Sequence, residues 1–399
     1  FFQADDGIRD SVASRGLGDV YKRQSLKISN TIMSDQVKIG IFGAGAIGSA
    51  VYHLLKDRTN YSVTVADMTP YSNTRPGAFA EEDYQEIDTR HPGTNNSILQ
   101  EFVCNFTLII NALPYTENLV IYSACLECDI PYFDFSEDAE LNEFIHNVDL
   151  NKPLSFTMPH CGLAPGMSTV IANHLMHDME KVEYIKIRVG SLSQDSTNKL
   201  KYHLMWSPDG LINEYSGDCE IVRDGKYYKV PTLTGYETLM IDGDTYEAFN
   251  TSGVLGSFAK TISNAHPYER FQNVNLNYKT IRYKGHHNLI DFLMNDLRIP
   301  KDELIEIIKR GVSTTRRDLV IIYVVVGGIM NGKQKERCYK KFFYPETFNE
   351  RYYTAIELTT ASGLLTMVEL FLKGKLKQKG YNKQAVSYTH LTLPTNREV

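Results

Sequence analysis

The feature that most constrains this chain is a run near its start. Val37-Lys38-Ile39-Gly40-Ile41-Phe42 is a short apolar strand, and Gly43-Ala44-Gly45-Ala46-Ile47-Gly48 follows at once. A helical pattern comes next, with Ile47, Val51, Leu54 and Leu55 on one face. A second strand, Tyr61 to Ala66, then ends at Asp67. Strand, Gly-x-Gly-x-x-Gly, helix, strand and acid within about 30 residues is the pattern of a dinucleotide-binding βαβ unit. Gly43 permits the tight turn, Gly45 lets backbone approach a pyrophosphate, and Gly48 lets the helix pack close to the strand. Ala46 and Ile47 open the helix, whose N-terminus presents free N–H groups and a positive dipole end to phosphate. Asp67, 19 residues after Gly48, offers a carboxylate to the ribose hydroxyls and repels a 2′-phosphate. NAD is therefore favoured, and Arg75 further along keeps NADP open.

The alternation continues. Phe106 to Ala112 reads as a buried strand ending in the loop Leu113-Pro114-Tyr115, a helix spans about 117–128, and Pro131 to Phe135 is the next strand. Parallel strands alternating with helices make a doubly wound α/β sheet of Rossmann type. Loops at strand C-ends line the ligand crevice, which places Asn111, Ala112, Leu113, Pro114, Asp134 and Ser136 to Asp138 near a nicotinamide.

Composition narrows the partners. With 42 basic and 48 acidic residues the net charge is -6, so the basic footprint of a nucleic-acid binder is absent. No run approaches the ~18 apolar residues of a membrane helix; Leu319 to Val326 instead reads as a strand buried on both faces. The six cysteines read as thiols of a reducing compartment. With no signal-peptide pattern, the expected location is cytoplasmic. Cys125 and Cys128 form a lone Cys-x-x-Cys, and His174 and His177 lack a third partner, so no metal site is expected. Residues 1–32 and 386–399, with strings such as Asp19-Val20-Tyr21-Lys22-Arg23-Gln24 and Ser387-Tyr388-Thr389-His390, look like translated sequencing adaptor. Met33 is then the expected natural start.

Longer strings carry a resemblance. They are Ile110 to Pro114, Tyr132 to Asp138, Pro159-His160-Cys161-Gly162-Leu163-Ala164-Pro165-Gly166, Trp206 to Tyr215, Phe249 to Gly253 and Lys279 to His286. Together they resemble the saccharopine dehydrogenase-like family, closest to its lysine 6-dehydrogenase branch, over roughly residues 36 to 384. The resemblance implies a two-domain oxidoreductase acting on the carbon–nitrogen bond of a lysine-derived or polyamine-like substrate. It implies a dinucleotide domain at 33–158, an inserted α+β mixed-sheet substrate and dimerisation domain at 159–350, a helical return at 351–385, and a homodimer. Strand-like patterns at 182–190, 200–206, 219–230, 271–283 and 319–344, and an apolar helical pattern from Tyr353 to Leu372, permit this arrangement.

Amine oxidation needs an acid/base group with a pKa near the working pH. Asp138 matches a substrate-contact acid of the resembling reductases, and as a favoured N-cap it also reads as the start of a helix at 139–147. His160 is placed to shuttle protons. Cys161 and Leu163 belong to a turn that touches ligand, with Cys161 a nucleophile only if its thiol pKa is lowered. Arg282 is the candidate fork for a substrate α-carboxylate. Asn250, Thr251 and Ser252 match a substrate loop of the family. Asp209 stands where the saccharopine-forming reductases carry an arginine, which favours an amine over a carboxylate; Pro208-Asp209-Gly210 also reads as a plain turn. Three functions follow: NAD-dependent oxidation of lysine through an imine to the semialdehyde, the reverse condensation of aldehyde with amine, or NAD sensing without turnover.

Overall fold

A computed structural model describes residues 36–90, 92–135, 138–149, 155–195, 197–265 and 269–387. The suspected N-terminal tail lies outside the described residues, as does residue 388 onward. The first part runs β1 (Val37–Phe42), α1 (Ala46–Lys56), β2 (Tyr61–Asp67), β3 (Tyr84–Glu86), α2 (Pro92–Cys104), β4 (Leu108–Asn111), α3 (Asn118–Glu127), β5 (Tyr132–Asp134), α4 (Ala139–Asp149) and β6 (Thr157–Met158). These strands form one parallel sheet in the order β3-β2-β1-β4-β5-β6. The order reverses between β1 and β4, and ligands of such sheets bind outside the carboxyl ends at that point. Ile39, Ile41, Val63, Val65, Leu108 and Ile110 face a core shared with α1. Phe42, Ala66, Ile109 and Tyr132 face a second core with Phe102, Ile121 and Leu141 of the other helices. Strands apolar on both faces are what a helix-covered parallel sheet requires.

The chain then builds a mixed sheet. Its elements are α5 (Met167–Met176), β7 (Lys181–Ser193), α6 (Pro208–Glu214), β8 (Asp218–Arg223), β9 (Lys226–Pro231), β10 (Glu237–Ile241), β11 (Asp244–Phe249), α7 (Phe258–Asn264), β12 (Asn275–Tyr283), α8 (His286–Asp291), α9 (Lys301–Gly311), β13 (Asp318–Met330) and β14 (Lys333–Phe343). The strand order is β10-β11-β12-β7-β13-β14, with β8 and β9 attached at β12. Hairpins β8–β9, β10–β11 and β13–β14 turn on Asp224-Gly225, Asp242-Gly243 and Asn331-Gly332, with positive φ at both residues of each pair. That is the two-residue turn whose twist matches the strands it joins. Ile185, Ile187, Val320, Ile322 and Val324 form one core with Ile171 and Leu175 of α5 and Phe258 of α7.

Several expectations change. Residues 200–206 form no strand; Leu204 makes only an isolated bridge to Thr314. Tyr202 and Leu204 instead pack in a helical cluster with Leu211, Ile212, Leu304 and Ile308. The hairpin β10–β11 was not anticipated, because its half-exposed edge carries no continuous apolar run. Pro208-Asp209-Gly210 opens α6 rather than making a plain turn, with Ser207 accepting from Gly210 N at 3.3 Å as its N-cap. Cys104 and Cys128 are joined as a disulfide rather than left as thiols: the ends of α2 and α3 lie side by side, with Cα atoms 5.3 Å apart.

After the small hairpin β15 (Glu346–Phe348) and β16 (Arg351–Tyr353), helix α10 (Ala355–Leu372) returns to the first sheet, followed by the short α11 (Gln384–Ser387). Ala355 and Ile356 sit in the second domain's core, while Ala361, Leu364, Leu365, Met367 and Val368 sit beside α1 in the first. Its N-terminus is satisfied twice over. Thr354 and Glu357 form a capping box, and Asp318 of β13 accepts from Ala355 N at 2.7 Å and Ile356 N at 2.8 Å. This helix is long and apolar enough by composition to cross a membrane, contrary to the sequence reading; burial in two cores accounts for that apolarity.

Candidate active site

The fingerprint glycines divide by what surrounds them. A Cβ on Gly48 would lie 1.9 Å from the Gly43 oxygen, and one on Gly43 would lie 2.8 Å from the Ala112 carbonyl. The protein's own packing demands both. A Cβ on Gly45 would meet nothing within 4 Å. No side chain caps α1, so the first-turn N–H groups of Ala46, Ile47 and Gly48 have no capping acceptor. Beside them opens a cavity of about 400 Å³. Asp67 lines it with its carboxylate fixed: Oδ2 accepts from Ala44 N at 2.7 Å and Oδ1 from Thr69 N at 2.8 Å. Uncapped N–H groups, a bare glycine and a held carboxylate fit the pyrophosphate and ribose of a dinucleotide.

The loop after β4 leans on this turn. Ala112 N donates to Phe42 O at 2.7 Å, and Leu113 N to Asn111 Oδ1 at 3.1 Å, just before Pro114. The buried Asn111 amide donates to Asn118 Oδ1 at 2.9 Å and to the Tyr132 hydroxyl at 3.2 Å. Its side chain therefore shapes the loop from within. Asp134, buried at the end of β5, organises the next segment: its Oδ1 accepts from His160 N at 2.9 Å and its carbonyl from Cys161 N at 2.8 Å. His160 holds φ at +67°, a left-handed conformation that costs about 1–3 kcal/mol and persists only where the surroundings fix it.

Burial, helped by Lys260, pushes the His160 imidazole down to about 4, so it is neutral at neutral pH. Its Nε2 lies 3.4 Å from Asn142 Nδ2 on α4. Asp138 caps that same helix, with Oδ1 accepting from Glu140 N at 3.0 Å and Leu141 N at 3.3 Å. The first turn of α4 thus carries Asp138 at its cap and Asn142 against His160. Ser136 lies outside the described residues. Cys161 is buried, its Sγ donating to Met158 O at 3.3 Å, and burial raises its thiol well above the usual range. It is not an activated nucleophile. Leu163 is buried in the second domain's core.

The second-domain candidates form a network of their own. Arg282 is buried; Nε donates to the Tyr215 hydroxyl at 2.7 Å, Nη2 to Glu214 Oε2 at 3.2 Å and Nη1 to Ile281 O at 3.0 Å. Its guanidinium lies 5.3 Å from the Tyr202 ring centre and 5.5 Å from that of Tyr215. The Tyr215 hydroxyl pairs with His286 Nε2 at 3.0 Å, and His286 Nδ1 with Leu200 O at 2.8 Å. A carbonyl only accepts, so Nδ1 carries the proton and Nε2 accepts from Tyr215. Burial and Arg282 push the His286 imidazole down to about 3. Thr251 Oγ1 meets Thr280 Oγ1 at 2.8 Å, and Thr280 meets Glu214 in turn. Ser252 donates to Asn213 O at 2.9 Å, and the Asn250 amide to Thr234 Oγ1 at 3.1 Å. Asp209 is exposed on α6, 3.5 Å from Lys309 of α9, outside this network. Among the described residues no three His, Cys, Asp or Glu side chains gather as a metal site.

Residues 39–152 match the saccharopine dehydrogenase NADP binding domain, and residues 162–390 match the saccharopine dehydrogenase C-terminal domain. The chain belongs to the saccharopine dehydrogenase family. Its first domain is the nicotinamide-dinucleotide domain of that family of dehydrogenases, and the inserted mixed sheet is the family's C-terminal domain. It is 24% identical over 312 residues to the mitochondrial alpha-aminoadipic semialdehyde synthase of Rattus norvegicus, covering 71% of this chain and 32% of that protein. The mouse protein matches at the same identity over 309 residues. The chain spans about a third of the length of these relatives. Among solved structures it shares its fold with apo saccharopine dehydrogenase (L-Glu forming) from Saccharomyces cerevisiae, at TM-score 0.67 and 16% identity over 88% of this chain and 96% of that one. The homospermidine synthase of Legionella pneumophila in complex with NAD has a TM-score of 0.60 at 11% identity, over 88% of this chain and 87% of that one.

In this family member, two groups of site residues escape sequence reasoning. Glu214 and Tyr215 are joined to Arg282 only by the fold; each stands within the string Trp206 to Tyr215, but nothing there pairs them with Arg282. Arg316 and Arg351 line the dinucleotide cavity from segments far along the chain, where no local pattern marks them.

Proposed function

We propose that this saccharopine dehydrogenase family member oxidises the carbon–nitrogen bond of L-lysine or a lysine-derived amine, with NAD as the favoured cofactor. The observation that carries the reading is the bare, uncapped turn at Gly45 with the fixed Asp67 carboxylate, which fits a dinucleotide. By their names, the relatives above act on saccharopine or make aminoadipic semialdehyde and homospermidine, which supports a lysine-derived or polyamine amine as substrate. Bound nicotinamide supplies the hydride acceptor. The chain supplies the rest. Asp138 is the candidate to take the amine proton, then to take a proton from the water that attacks the imine and pass it to the nitrogen, which departs as ammonia and leaves the semialdehyde. Neutral His160 offers a hydrogen-bonding imidazole rather than a charge, and Asn142 joins it to the helix that Asp138 caps.

A second reading rests on Arg282. Its guanidinium is occupied by Glu214, Tyr215 and Ile281, which leaves no unused fork for an α-carboxylate and favours a polyamine-type substrate. On the family resemblance we also propose a homodimer, which light scattering on a sizing column would check.

Absorbance at 340 nm with NAD or NADP against lysine, ornithine, saccharopine and polyamines tests these readings. NAD reduction with lysine supports the first, and reduction only with amines lacking a carboxylate supports the second. Silence with every amine and with aldehyde plus amine and reduced cofactor, in protein that binds NAD, would leave a sensor without turnover.

A further inference from the structure

The dinucleotide cavity is not built by the fingerprint alone. One wall is Ala44, Gly45 and Ala46 with Asp67; the other is Arg316, Arg351 and Glu357, with Arg75 at the rim. Three guanidinium groups therefore face two carboxylates, and both carboxylates are already engaged. Asp67 accepts from two backbone N–H groups. Glu357 accepts from Thr354 N at 2.9 Å and from Arg316 at 3.4 and 3.3 Å. Arg316 is thereby neutralised, and it lies 5.3 Å from the Tyr352 ring centre. Among the described residues Arg351 donates to a backbone carbonyl, Gly77 O at 2.9 Å, and no carboxylate pairs with Arg351 or Arg75. Nearby His53 does not add charge: burial and Arg351 push its imidazole down to about 4, and its Nε2 bonds Ala78 O at 2.7 Å.

A cavity with two uncompensated guanidinium groups beside an uncapped helix N-terminus attracts anions, because the charges reinforce one another in a partly enclosed space. Arginine also matches phosphate geometry through two parallel donors. We propose that Arg351 and Arg75 form a seat for a phosphate group of the dinucleotide, closed over the cofactor by the segment that returns from the second domain. The proposal rests on the dinucleotide reading above and does not depend on which amine is oxidised. Two phosphates have the right chemistry. The pyrophosphate is common to NAD and NADP, while the 2′-phosphate belongs to NADP alone and must be held against the repulsion of Asp67.

The test is direct binding of NAD and of NADP, by calorimetry, to the full chain and to R351Q and R75Q. Each variant's melting temperature without cofactor shows that it is folded, and R351K serves as a charge-keeping control. Weakening of both cofactors about tenfold or more in R351Q or R75Q assigns the seat to the pyrophosphate. Weakening of NADP alone assigns it to the 2′-phosphate. Unchanged affinity for both cofactors in both folded variants overturns the seat, even if the enzyme turns over lysine. Wild-type protein that binds neither cofactor overturns the dinucleotide reading and the seat together, whereas failure of every amine assay with intact binding leaves the seat standing.

Discussion

The two halves of the candidate site are built by opposite means. The dinucleotide turn is made almost wholly of backbone: three glycines, uncapped N–H groups and one carboxylate fixed by peptide N–H donors. The Arg282 network is made almost wholly of side chains, drawn from α6, β12, α8 and the loop after β11. A backbone site is written locally, because the residues that shape it are neighbours in sequence. A side-chain site exists only once distant segments have met. Substitutions in the first should act through space and shape, and in the second through charge and burial.

The largest effect is expected where shape is tightest. Gly48→Val puts a branched side chain against the Gly43 carbonyl, where even a Cβ would lie 1.9 Å away, so the turn must open. Dinucleotide binding should be lost and the melting temperature lowered, which calorimetry and a thermal melt would show. Gly45→Ala is the matched control: stability should hold, because its Cβ meets nothing, while affinity for the cofactor falls at least several-fold. Equal behaviour of the two variants would break the distinction between glycines the protein needs and the one the ligand needs.

The next largest effect belongs to the side-chain network. Glu214→Ala leaves Arg282 buried without its carboxylate, and removing one partner of such a pair costs about 3–5 kcal/mol. Denaturant unfolding would measure this; a loss below about 1 kcal/mol would mean that Tyr215 and the Ile281 carbonyl hold the charge without it.

Acid sharpens the comparison further. His53, His160 and His286 have folded pKa values below the ordinary imidazole value, at about 4, 4 and 3. The unfolded chain therefore binds their protons first as pH falls. Stability is whole above the unfolded value near 6.5 and drains away down toward pH 4 and below. Melting temperature should fall across that window, and His286→Gln should flatten the fall. A wild-type melting temperature level from pH 7 to 4 would contradict the buried neutral imidazoles.

The smallest effect is expected at Asp209. It is exposed and pairs with Lys309 on the surface. Asp209→Asn should leave melting temperature and KM for the amine unchanged, and a several-fold rise in KM would return Asp209 to the substrate site.

What could be read in advance follows the same divide. The order β1, α1, β2 and Asp67 was legible because periodicity and glycine spacing fix it within about 30 residues. The two-faced burial of Leu319 to Val326 was legible from β-branching. Residues 200–206 misled because alternation in Tyr202 and Leu204 is equally served by a coil pinned to helices α6 and α9. Asp138 was legible as the N-cap of α4, because an acid just ahead of a helical pattern accepts its first free N–H groups. Arg282 was singled out, but Glu214, which neutralises it, was invisible because their meeting is tertiary.

Helix α10 carries a consequence for synthesis. Ala361, Leu364, Met367 and Val368 complete the core beside α1 and the first sheet, yet about 200 residues separate them from β6. At about 5–20 residues per second, a ribosome delivers that helix roughly 10–40 seconds after the strands that need it. Through that interval the nascent first sheet presents an unsealed apolar flank, so chaperone attachment to half-made chains should persist until α10 emerges.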